Sequence, residues 1–326
     1  MDLNGDGYVD ILSGSWPGEL FLFEGGPDHT FAGRKMIADK NGEIINIGGG
    51  IEPWSEGGIL IRGHAEFERT DKGSVAIYRG KRYESTPERR VVTTGTASTA
   101  CAVDWDHDGD CDLIVGDIQG NVYLIPNEGT ATAYAFGEAH PLEAEGQSLR
   151  VQSRAGPHAA DWDGDGDLDL IVGADDGSVS LFRNVGSAKE PELAAATPLV
   201  PPVKRGPNRS IPEEARRGGR SKVCVADWNG DGRADLLVGD FARQKPDLPE
   251  PTPEERAKHD RIRQELEPLQ KRYSELRRKL RELPQEERHE VETERQEIYE
   301  RMSALRAKLP KEYEYHGWVW LFLRKP

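Results

Sequence analysis

Four stretches of nine residues place carboxylates and amides at matching positions. They read DLNGDGYVD from Asp2, DWDHDGDCD from Asp104, DWDGDGDLD from Asp161 and DWNGDGRAD from Asp227. Counted from the first aspartate, positions 1, 3, 5 and 9 are Asp or Asn in every copy, and position 6 is always glycine. Oxygens at alternate positions converge on one point when such a loop curls, and glycine permits the sharp turn. The occupant this chemistry asks for is a hard cation taking about six to eight oxygens at roughly 2.3–2.6 Å, which is Ca²⁺. The candidate ligands are Asp2, Asn4, Asp6 and Asp10; Asp104, Asp106, Asp108 and Asp112; Asp161, Asp163, Asp165 and Asp169; and Asp227, Asn229, Asp231 and Asp235. The backbone carbonyl at position 7 adds one more from Tyr8, Asp110, Asp167 and Arg233. About four calcium ions are expected. Without them each loop would crowd mutually repelling carboxylates.

An EF-hand would need a bidentate Glu at position 12 and flanking helices. Position 12 is instead Ser13, Val115, Val172 and Val238, inside apolar runs with strand character. The four loops hold fourteen of the aspartates at positions 1, 3, 5 and 9, close to the whole net charge of −15. That balance favours cations and argues against nucleic acid or an anionic membrane surface as partner. No stretch approaches the roughly 18 apolar residues of a membrane span.

Each loop runs into a short apolar segment ending in glycine: ILSG, LIVG, LIVG and LLVG. A tight turn and a second strand follow, as in ELFLF, NVYLI and SVSLF, so the loops sit on antiparallel hairpins. A fifth unit is expected between the first two, with GILIRG ending at Gly63 as its first strand and GSVAIYRG from Gly73 as its second. Its loop position, IEPWSEGG, lacks the ligands. The strand-ending glycines Gly14, Gly63, Gly116, Gly173 and Gly239 are then 49, 53, 57 and 66 residues apart. That period suits one four-stranded sheet per repeat, so the expected fold is all-β, a β-propeller of about five recognisable blade units.

The last hairpin is interrupted. Its second strand, GWVWLFLR, begins only at Gly317, which leaves about 74 inserted residues. Within residues 246–315 a proline-rich stretch is followed by helix signals. Thr252-Pro253-Glu254-Glu255 reads as a capping box with proline at N1. Ile262, Leu266, Leu269, Tyr273, Leu276, Leu280 and Leu283 form a coiled-coil-like seam, with a kink expected at Pro268 and a break at Pro284. Val291, Ile298, Met302, Leu305 and Leu309 mark a return helix. The domains expected are residues 1–240 with 316–326 for the repeats, and 246–315 for the inserted antiparallel hairpin. Residues 201–222, rich in Pro, Arg and Gly, read as a long surface loop.

The DxDxDGxxDL loop followed by a V-G strand end resembles the FG-GAP/VCBS repeat family, found in integrin α-type propellers and many secreted bacterial proteins. Phe136-Gly137 and Ala155-Gly156-Pro157 stand before the Asp161 loop in the order the family's name implies. The resemblance covers roughly residues 1–240 and 316–326. It implies structural calcium in the four matching loops and none in the unit ending at Gly63. Integrin-like propellers have seven blades, so five units starting inside a loop imply either an unusual closure or a truncated N-terminus. A lost leader and the millimolar calcium outside cells both fit an extracellular or cell-envelope location.

Nothing in the chain reads as catalytic. The eight histidines lack metal-ligand spacing, and no GxSxG, Walker loop or intact GxGxxG occurs. His158, Cys101 and Cys224 share the place three residues before their loops and read as packing positions. Trp105, Trp162 and Trp228 at position 2 read as packing between blades, or alternatively as a sugar-stacking surface. The reading is therefore a non-catalytic calcium-binding scaffold for an unidentified protein partner or glycan. Self-association through the helical hairpin is an open role. The alternative is a carbohydrate-binding or polysaccharide-active propeller, since related repeats occur in polysaccharide lyases.

Overall fold

In the computed structural model all residues are described except 55, 56, 71, 72, 87, 88, 205–216, 247, 284–286 and 326. The acidic loops organise four antiparallel sheets in which strands follow one another in chain order. In the second unit Thr99–Val103 leads into the Asp104 loop, then Asp112–Gly116, Val122–Ile125 and His140–Pro141. In the third, Gly156–Ala160, Asp169–Gly173, Val179–Phe182 and Thr197–Val200 repeat the plan. The first unit has Ile11–Gly14, Leu20–Phe23 and Lys35–Met36. The fourth has Gly219–Ala226 and Asp235–Gln244, the latter paired with Val319–Phe322.

Neighbouring sheets bury alternate faces against each other. On Asp112–Gly116, Leu113 and Val115 pack on Leu20 and Leu22 of the first unit, while Ile114 and Val122 face Leu170 and Val172 of the third. Ile171, Val179 and Leu181 in turn meet Leu236 and Val238 of the fourth. Period-2 alternation of apolar residues on both faces is what a sheet sandwiched between two others requires. The strand-ending glycines allow the closest approach. A Cβ on Gly14, Gly116 or Gly173 would lie 2.2, 2.5 or 2.3 Å from the backbone oxygen of Ser98, Ala155 or Ser221, each in the next unit.

The fifth unit expected between the first two does not form. Gly58–Arg62 pairs with Gly50–Trp54 and, in parallel, with Val91–Thr94. Gly73–Tyr78 belongs to a separate sheet with Glu66–Thr70 and Lys81–Glu84. The two segments are thus not one hairpin, and Gly63 faces the Asn46 side chain rather than a neighbouring unit's backbone. The acidic-loop units number four among the described residues. The surface loop expected over 201–222 is also too long: Gly219–Ala226 is a strand, because Val223 and Val225 supply a face that packs on the third unit's cluster. The middle of that stretch, 205–216, lies outside the described residues.

In the fourth unit Leu236 pairs with Phe322, whereas the same position pairs residues 12 apart in the other three: Ile11 with Phe23, Leu113 with Ile125, Leu170 with Phe182. The separation there is 86, so the hairpin keeps its register and accommodates 74 extra residues.

Residues 244–314 form a second compact unit. Its helix α1 (Pro253–Glu282) starts at the Thr252 capping box, where Glu255 N–H donates to Thr252 Oγ1 and Thr252 N–H donates to Glu255 Oε2. It continues without a break through Pro268; Pro284 lies outside the described residues. Helix α2 (Arg288–Arg306) runs back along it. Ile262, Leu266, Met302 and Leu305 make the buried seam, flanked by Leu269, Tyr273, Ile298 and Leu309. Neither helix is long and apolar enough to cross a membrane.

Candidate metal centres

The loops fold as one design. The position-1 carboxylate accepts the backbone N–H groups ahead of it. Asp2 accepts from Gly5, Asp6 and Gly7; Asp104 from Asp108 and Gly109; Asp161 from Gly164 and Gly166; Asp227 from Gly230, Asp231 and Gly232. Position 5 accepts from the N–H of position 7: Asp6 from Tyr8, Asp108 from Asp110, Asp165 from Asp167, Asp231 from Arg233. Glycine at position 6 is left-handed in all four, with φ from +83° at Gly232 to +101° at Gly109.

The position-9 aspartates, all buried, tie each loop to its sheet. One oxygen accepts the N–H of position 2 (Leu3, Trp105, Trp162, Trp228) at 2.8–3.2 Å. The other accepts the N–H just past the second strand: Gly25, Asn127, Asn184 and Arg324, at 2.7–2.8 Å. Reading the sequence missed this second anchor. Its trace is an Asn-x-Gly following two of the loops by 15 residues, as Asn127 and Asn184. Those amides then accept from Gly129 and Ala135, and from Gly186 and Glu192.

The loops differ at position 3. In the first and fourth, Asn4 and Asn229 donate from their amides to Asp6 and Asp231 at 3.1 Å, which satisfies the loop internally. In the second and third, position 3 is Asp, and position 7 adds another carboxylate. There Asp106, Asp110, Asp163 and Asp167 each keep a buried Oδ1 with no hydrogen-bond partner. Carboxylate oxygens of Asp104, Asp106 and Asp108 lie within 4.8 Å of one another, as do those of Asp161, Asp163 and Asp169. Burial, reinforced by neighbouring carboxylates, raises Asp110 and Asp167 above the usual carboxylate range. Burial raises Asp169 as well and pushes Asp112 up to about 6, against the lowering by their backbone hydrogen bonds. Orphaned buried acceptors and mutually repelling anions are what a divalent cation relieves, so these residues fit the ion. The side chains of Asp110 and Asp167, with their unpartnered Oδ1 atoms, are candidate donors that spacing alone did not single out.

The third and fourth loops also line a cleft of about 430 Å³ with Trp162, Arg233, Arg324 and Lys325. The Arg324 guanidinium lies 5.1 Å above the Trp162 ring and donates to the Trp162 carbonyl. Arg183 pairs with Asp163 at 2.7 Å at the edge of the third loop.

Sheets that carry an acidic loop between their first and second strands define a class of repeat protein. Residues 104–172 and 161–238 match the model of the FG-GAP-like repeat, so this segment is similar to that repeat family. Phe136 is buried in the cluster between the first and second units, and Ala155-Gly156-Pro157 enters the inner strand of the third. Among solved structures the chain is similar, at 19% identity and a TM-score of 0.27, to a lectin of Agrocybe aegerita described as recognising non-reducing terminal N-acetylglucosamine. The similarity covers 61% of this chain and 50% of that one, so the chain spans about half the length of that lectin. No curated protein matches the sequence.

Proposed function

We propose that the protein is a calcium-loaded repeat module of the β-propeller type, serving as a non-catalytic interaction scaffold in a calcium-rich, exported setting. The observation that carries the calcium reading is the set of orphaned buried oxygens on Asp106, Asp110, Asp163 and Asp167. A buried acceptor without a partner costs about 1–3 kcal/mol, more when charged, and a bound cation removes that cost at two loops together. The first and fourth loops, quieted by Asn4 and Asn229, should bind more weakly. The test is metal counting on chelator-free protein, with thermal unfolding in excess Ca²⁺, excess Mg²⁺ and EDTA. The expected result is two tightly held calcium ions, further weak binding, and a calcium-selective rise in midpoint that follows RT ln(1 + [L]/Kd) for each site. No bound calcium and no shift would remove the metal from this reading.

A second reading, glycan binding, draws on the cleft beside Trp162. Arg324 covers that ring, so a sugar stacking there must displace the guanidinium. Oligosaccharide titration that quenches tryptophan fluorescence in the wild type and not in Trp162→Ala would favour it. Capture of a protein partner that is lost on deleting residues 253–310 would favour the scaffold.

A further inference from the structure

One face of the fourth unit is open where the same face of the other units is covered. Val319 is 72% exposed, while its equivalents Leu20, Val122 and Val179 are 0% exposed. Trp228 is 62% exposed, while Trp105, at the same loop position, is 3% exposed against the third unit. Leu321 and Cys224 share the open face and are exposed too. Gly239 stands where Gly14, Gly116 and Gly173 each press on the next unit's backbone, yet among the described residues a Cβ there would meet only Lys222 O at 3.7 Å, within its own sheet. Five positions thus mark a surface shaped for another sheet of the same kind.

The complementary surface is at the other end of the stack. In the second, third and fourth units the face turned toward the preceding unit carries Leu113, Leu170 and Leu236, all buried. Ile11 holds that place in the first unit and is 46% exposed, with exposed Met36 and half-buried Phe21 beside it. We propose that the open face of the fourth unit is covered by the first unit of a second copy of this chain, continuing between molecules the packing that joins units within one. The contact is heterologous, because two different surfaces meet. Two copies joined at both ends would place eight units in one ring, within the range that propellers reach. This rests on the packing of the sheets and not on calcium, so the two readings fail separately.

The test is sedimentation velocity and light scattering on the full chain in calcium across micromolar concentrations. The wild type should be a dimer. Val319→Asp and Ile11→Asp, both at exposed positions, should each weaken dimerisation at least ten-fold while circular dichroism and the melting profile stay native. An equimolar mixture of the two variants should regain dimers, since each retains the surface the other lacks. As a readout without substitution, Cys224 should resist maleimide in the concentrated wild type and react on dilution. A wild type that stays monomeric throughout overturns the proposal. So does an Ile11→Asp protein that dimerises normally, or a mixture that fails to recover.

Discussion

At position 4 of the loops three glycines and one histidine share a left-handed backbone. Gly5, Gly164 and Gly230 take φ of +70°, +82° and +72°, and His107 takes +54°. A side chain in that region costs on the order of 1–2 kcal/mol, partly returned by the lower entropy of the unfolded chain. His107→Gly should therefore stabilise the calcium-free protein by about 0.5–1 kcal/mol in denaturant unfolding; no gain would mean that the imidazole contributes contacts of its own. The curled loop geometry could be read from sequence because its chemistry is local: side-chain oxygens and a glycine within nine residues bond one another and need no partner elsewhere. The outer anchor was not readable in that way. Asp10 reaches Gly25, and Asp235 reaches Arg324, 89 residues on, which only the folded sheet reveals.

Elements were legible where their signals were local and misread where pairing was not. The Thr252 box lies within one helix, the seam from Ile262 to Leu305 repeats at short spacing within each of two helices, and both form. GILIRG and GSVAIYRG have the composition of the loop-bearing strands, but no position-9 aspartate fastens them to a hairpin, and the parallel partner Val91–Thr94 leaves no local mark. Within α1 and α2, burial and charge should count very differently. Leu276 is fully buried, so Leu276→Ala should cost roughly 2–4 kcal/mol of hairpin stability, read by amide exchange of the two helices. The Arg272–Glu294 pair is bidentate at 2.7 and 2.9 Å but half exposed. Glu294→Ala should cost far less, because solvent screens an exposed pair. A larger loss there than at Leu276 would contradict the seam as the source of cohesion.

Across the whole molecule, the crowded carboxylates make stability depend on pH. Asp112 is pushed from 3.8 to about 6, and Asp110, Asp167 and Asp169 move in the same direction. Between about pH 4 and 6 these four carboxylates thus bind more protons in the folded metal-free chain than in the unfolded one, so their contribution to stability falls as pH rises through that window, while His158, lowered by burial, works the other way. Stripped of metal, the protein should melt higher at pH 5 than at pH 7. With saturating calcium the order should reverse, because protons and calcium compete for the same oxygens. A stripped protein whose midpoint is flat across this range would show that these carboxylates are not as crowded as their burial implies. The net charge of −15 already pointed to cations. Which loops carry the strain was hidden, because it depends on the burial of Asp110 and Asp167.

The 74-residue insertion has a kinetic side. Three of the hairpins close over short turns, but the fourth must bring Leu236 to Phe322 across the whole insert. For a flexible chain, lengthening the loop from 4 to about 78 residues adds roughly 2–3 kcal/mol of closure entropy. Two antiparallel helices fold the intervening chain back on itself and return its ends to one place, as a short turn does. Helix pairing forms on local contacts and is fast, whereas strand pairing over such a span is slow. The helical pair is therefore expected to act as a folding clasp, closing before the last strand of the β-repeat array joins, which pulse-labelled amide exchange during refolding would read as earlier protection of the helices.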